Sequence, residues 1–193
     1  MAKKSVWKEI AGDLGGIYEK GTFTKMEKIR IPHGESEIVI DNAIMMAGTT
    51  PITYTRIRSV FVNPSQFEFK IYHEGFFSSV GKMLGMQDIL IGDEKIDETF
   101  VIKSKSEYQI QKLLSDPELK VLLLTGKPIQ LEIKLRDGEL QNERESILQY
   151  QASGQIKDID VLQNIIEIFK RVIDLMIEFG IALDTEPVSK LTK

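Results

Sequence analysis

The apolar positions open with Trp7, Ile10, Ala11 and Leu14 at i, i+3, i+4 and i+7, one stripe on a short helix. Ser5 is placed to cap its start, and Gly15–Gly16 supplies the left-handed residue that stops it. The period then drops to two. Residues 23–31, 37–46, 52–63 and 67–72 read as strands, divided by the turn signals Pro32-His33-Gly34 and Asn63-Pro64-Ser65. Four strands with short connections predict an antiparallel meander rather than β-α-β units. Residues 75–85, bounded by glycines, read as a short helix, and residues 88–91 and 99–103 as two strands flanking the turn GDEKID.

The second half returns to helical spacing. Ser106 caps a helix carrying Tyr108, Ile110, Leu113 and Leu114. Asp116-Pro117-Glu118 starts another, with Asp as cap and Pro in the first turn, whose stripe Leu119, Leu122 and Leu123 runs to Gly126. Ile129, Leu131, Ile133 and Leu135 then alternate with polar residues up to Asp137-Gly138, a strong hairpin dipeptide, and residues 139–151 return. Asp158 or Asp160 caps the longest helix, which reaches Gly180 with Leu162, Ile165, Ile166, Phe169, Val172, Ile173 and Met176 on one side. The tail, residues 185–193, reads as frayed. The class is α+β: antiparallel meander sheets packed by a short N-terminal helix, a central helical pair and a long C-terminal helix. Residues 1–193 read as one domain, divisible at most into a strand-rich half (1–86) and a mixed half (87–193).

Composition narrows the chemistry. The 193 residues carry a net charge of −4 with both signs interleaved, so no general field attracts phosphate backbones and no nucleic-acid partner is expected. The absence of cysteine excludes disulfides, zinc–thiolate sites, iron–sulfur clusters and thiol catalysis. With no secretory-type leader and no uncharged span of about 18 apolar residues, the expectation is a cytoplasmic protein without an integral membrane segment. Residues 161–183 come nearest, but Glu167, Lys170, Arg171, Asp174 and Glu178 interrupt them.

The densest chemistry is the run Asp88, Asp93, Glu94, Asp97 and Glu98. Its spacing does not match the D-x-D-x-D-G order of a calcium loop, and no metal or cofactor is expected. Gly92 supplies a positive φ and Asp93 folds onto nearby amides, which makes a turn. His33 sits in a turn and His73 ends a strand; either could be a general base, but no nucleophile motif accompanies them, and two histidines cannot form a three-histidine zinc site. GGIYEKG and GKPIQ lack the spacing of nucleotide-binding glycine loops. Arg56, Arg58 and Lys70 near Tyr54, Phe67 and Phe69 raise a base-stacking face, but charges and aromatics alternate in FEFKIY and so point opposite ways. Val161, Ile168, Leu175 and Phe179 widen the stripe of the last helix beyond one contact face. That marks Ile168, Leu175 and Phe179 as a self-association surface unless the helix lies between two layers of its own fold.

The segments WKEIAGDLGGIYEKG, YTRIRSVF, QDILIGDEKIDETFVIKS, LLSDPEL and KDIDVLQNIIEIFKRV together resemble a group of uncharacterised prokaryotic proteins described as a domain of unknown function. In that group the turn reads Gly-Asp, two residues, Phe-Asp; here Ile96 stands at the Phe position and keeps an apolar anchor before Asp97. The resemblance implies an α+β domain and no reaction. The expected function is therefore a non-catalytic binding or protein-interaction module. The alternatives are a metal-assisted hydrolase using Asp93, Asp97 and His73, or a carrier of an apolar small molecule held between the sheet and the last helix.

Overall fold

A computed structural model describes residues 6–23, 26–73, 86–126, 129–136, 144–188 and 191. Ser5, the helix expected over 75–85 and the Asp137-Gly138 turn lie outside them. The first helix, α1 (Val6–Asp13), buries Trp7, Ile10 and Ala11 and stops where Gly15 turns left-handed at φ +65°. Gly16 is required for a different reason. A Cβ there would meet Ile29 Cγ2 at 2.8 Å and Ile31 Cγ1 at 2.9 Å, so the chain leaves α1 pressed against the strand beneath.

The strands are β1 (Ile17–Glu19), β2 (Lys28–His33), β3 (Ser36–Ala47), β4 (Thr50–Val62), β5 (Phe69–His73), β6 (Gln87–Asp88), β7 (Phe100–Ser104), β8 (Gln130–Leu135) and β9 (Glu145–Ser153). They form one sheet in the order β1-β2-β3-β4-β9-β8-β5-β7-β6, every pair antiparallel. The α+β class stands, but the meander ends at β4. β5, expected beside β4, pairs with β7 and β8 instead, and β9 takes the edge of β4. Asn63 is the cause. Its fully buried amide donates to Phe67 O and Ser146 Oγ at 2.9 Å each and accepts from Ser65 Oγ and the Phe67 amide. With Gln66 at φ 52°, this knot carries the chain past β4, leaving that edge for the β8–β9 hairpin. Short β1 and the late start of β2 at Lys28, rather than 23, also differ from the expectation.

Side-chain alternation divides the sheet into two faces. One carries Ile29, Ile31, Ile38, Ile40, Ile57, Phe61, Phe69, Ile71, Leu131, Ile133, Leu148 and Tyr150. It forms a single cluster with residues of α1, α2 (Glu94–Thr99), α3 (Glu107–Leu113), α4 (Pro117–Thr125) and α5 (Ile159–Glu178). Ser106, Asp116 and Asp158 cap α3, α4 and α5 as expected. Arg171 on α5 holds Asp116 with both donors of its fork, tying the cap of one helix to the flank of the next. No helix among the described residues is long and apolar enough to cross a membrane.

The other face is charged. A single row of cross-strand partners runs Arg30, Val39, Arg58, Gln149, Glu132, Lys70, Lys103, Asp88. Its charges are matched locally. Asp41 takes Arg56 and Arg58 at 2.8 and 2.6 Å, Glu132 takes Lys70, and Asp88 takes Lys103. Phe67 and Phe69 face the helices as expected. Tyr54 and Tyr72, however, share the charged face by the same alternation. Tyr72 is buried, so it offers no flat platform to a base. A small second core of Val39, Val60, Ile147 and Leu191 sits on this face. Leu191 corrects the frayed-tail expectation at its own position: it is buried on the charged face, and its carbonyl accepts from Arg30 Nη2 at 3.2 Å.

Candidate functional site

The acidic segment is a helix start and not a strand-to-strand turn. Gly92 adopts φ +82°, as expected for a residue that must turn left-handed. Asp93 follows in extended backbone and its carboxylate accepts from the Ile96 amide, which makes it the cap of α2. Ile96, the apolar anchor, is fully buried. Lys120 on α4 reaches the second oxygen of Asp93 at 2.7 Å and, with the Ile96 amide, holds that carboxyl below the usual carboxylate range. Asp97 turns backward rather than toward the following strand, accepting from the amides of Ile91 and Gly92 at 2.8 Å each. Two carboxylates with the spacing of a site are thus both fastened to the backbone of their own loop.

His73 ends β5 on the helix-facing side. Its Nδ1 accepts from the Ile129 amide at 3.1 Å and its ring stands edge-on to Phe100, centroids 4.5 Å apart. Burial pushes the imidazole below its ordinary pKa, keeping it neutral. The contacts of Asp93, Asp97 and His73 are therefore made to three different sets of groups. Among the described residues no three His, Asp or Glu side chains gather closely enough to hold a metal ion. His33, expected in a turn, is the last residue of β2, and it binds Asp174 of α5 at 2.7 Å, joining that strand end to the last helix.

The self-association residues belong to the interior of the chain itself. Ile168 and Leu175 are 1% and 2% exposed and lie in the main cluster; Phe179 is partly buried, with Lys112 Nζ 4.4 Å above its ring. The stripe of α5 is wide because the helix is enclosed by the sheet on one side and by α3 and α4 on the others. Burial leaves neither Ile168 nor Leu175 as surface for a second copy.

A cleft opens on the charged face. It has a volume of about 180 Å³ and is lined by Glu35 from the β2–β3 turn, Ser36 and Glu37 from the start of β3, Val60 from β4, and Glu186, Pro187 and Leu191 from the C-terminal segment. Among the described residues its lining holds three carboxylates, one hydroxyl, the apolar side chains of Val60, Pro187 and Leu191, and no cation. Arg30 reaches Glu37 from outside and fixes that wall. The volume is below the roughly 300–1,000 Å³ of sites for drug-sized ligands, so it suits one short side chain. Such a shape and charge can desolvate a few methylenes while carboxylates face an ammonium. Sequence reasoning missed this cleft because its walls are far apart in the chain. The one local signal was Glu35-Ser36-Glu37, which reads as an ordinary polar turn.

Comparison with protein-family models, curated proteins and solved structures finds no match to this chain.

Proposed function

We propose that the chain is a non-catalytic binding module that receives a cationic side chain, such as a lysine of a partner protein, in the cleft beneath its C-terminal segment. The observation that carries this reading is three carboxylates beside the apolar side chains of Val60, Pro187 and Leu191 in a volume suited to an alkylammonium. The hydrolase reading is weakened because Asp93 and Asp97 spend both carboxylate oxygens on neighbouring amides or on Lys120, and His73 spends Nδ1 on the Ile129 amide. The carrier reading finds no support between the sheet and α5, where Leu162, Ile166, Phe169, Val172 and Met176 fill the layer.

Butylammonium serves as the probe. Saturation-transfer NMR is expected to show its methyl and methylene protons contacting the wild-type protein. Glu35→Lys, which places a cation at the mouth on an exposed residue, is expected to abolish the transfer without altering the unfolding temperature. Equal transfer in both proteins, or none in either, contradicts the reading.

A further inference from the structure

The β3–β4 hairpin runs on past every strand that flanks it. Lys28 of β2 pairs with Asp41, and β9 ends opposite Thr55 with a last bridge from Gly154 to Tyr54. Beyond Tyr54 the two strands pair, among the described residues, only with each other, from Ile44↔Thr53 to Ala47↔Thr50, a reach of about 13 Å at ~3.3 Å per residue. The last contacts from the flank are the Gly154 amide to Thr53 O at 2.7 Å and Gln151 Nε2 to Met45 Sδ at 3.4 Å. Gly48 closes the tip at φ +64°, and Thr49 does not share the positive φ, as a type II′ turn requires. The base is locked: Thr55 Oγ1 donates to Gly154 O and accepts from the Ile156 amide.

The composition of this ribbon departs from the rest of the chain. No charged residue occurs from Asn42 to Thr55, although 28% of the chain is charged. Ile44, Met45 and Met46 are 59%, 51% and 63% exposed. Successive strand residues point to opposite faces, so these three surround the ribbon with apolar surface instead of coating one side. Toward the base the character changes in order. Tyr54 comes first, half-buried, then the charged trio Asp41, Arg56 and Lys28.

An apolar tip, one half-buried tyrosine and a charged base follow the order of environments across the boundary of a lipid bilayer. A protein groove covers one face of a ribbon and leaves the other wet. A second copy is a poor occupant too. The exposed large apolar side chains of the tip are three, Ile44, Met45 and Met46, against the roughly 20–30 residues each partner contributes to a stable interface. We infer that the hairpin tip inserts into the apolar boundary of a phospholipid bilayer, making the protein a peripheral membrane binder. The tip carries no cation and the chain is net negative, so attachment rests on apolar transfer and varies little with salt. The cleft lies at the opposite end of β3, so the two sites stand or fall separately.

Met46→Trp in the full chain tests this directly. The only native indole, Trp7, is 0% exposed and gives a constant background. With phosphatidylcholine vesicles the introduced indole is expected to shift to the blue and to be quenched by brominated acyl chains. Both effects should persist at about 0.5 M salt, where surface charge is screened. Adding Met45→Glu is expected to abolish quenching while the unfolding temperature stays unchanged. Absence of quenching, quenching that survives Met45→Glu, or quenching confined to anionic vesicles at low salt overturns the inference. So does an indole that ignores vesicles but is buried on mixing with more protein, which assigns the tip to self-association.

Discussion

Asp97 fastens its own loop. A carboxylate that accepts two backbone amides replaces bonds those amides would otherwise make with water, and its loss exposes the loop rather than the core. Asp97→Ala is expected to lower stability by about 1–3 kcal/mol in urea unfolding, and Asp97→Asn by less, since one accepting oxygen survives. Wild-type stability in both would show that the carboxylate is kept for another purpose. His73 supplies a pH signature. Its folded pKa is depressed by burial, so its contribution is complete above the ordinary value of 6.5 and is lost as pH falls below it toward the depressed value. An NMR titration of the His73 ring is expected to show a midpoint below 6.5, and a midpoint above it would contradict the buried, neutral ring. The residue types were legible in the sequence: Gly92 does take positive φ and Asp93 does fold onto a nearby amide. The helix that follows them was not, because six residues carry too little periodicity to separate a helical turn from a β-turn.

The scale of elements is governed by what ties one to the next. Asn63 satisfies four groups on two segments, and Asn63→Ala strands Ser146 and the Phe67 backbone in a fully buried place. The expected cost is about 2–4 kcal/mol, read as a lower urea midpoint with an unchanged slope. Asp116 joins α4 to α5 through Arg171, which holds its carboxyl below the usual range. That contribution is complete above the ordinary carboxylate pKa and is lost as pH falls through the depressed value, so the tie fails only in strong acid. The capping residues of α3, α4 and α5 were readable because a cap is a local device. Strand order was not. The position of β9 against β4 depends on a long-range choice that Asn63 makes after β4 has ended, and nothing in the alternation of β5 marks which partner it takes.

Across the whole molecule, one sheet separates two environments. Its helix side is a continuous apolar layer, and its other side a matched field of charge on which Leu191 is buried. The width of the α5 stripe follows from the first, and Ile168→Glu with Leu175→Glu is therefore expected to abolish cooperative unfolding, because two carboxylates would be buried without partners. A folded double mutant by circular dichroism would return those residues to the surface. The cleft follows from the second, and it is where the account places binding. The most direct measurement is an amide NMR map of the protein titrated with N-acetyl-lysine methylamide. The account expects shifts at Ser36, Glu37, Val60 and Leu191, and none at Ile91, Asp97 or His73. Shifts clustered on the α2 loop and His73 instead would restore those residues to a functional site and contradict a binding module built on the cleft.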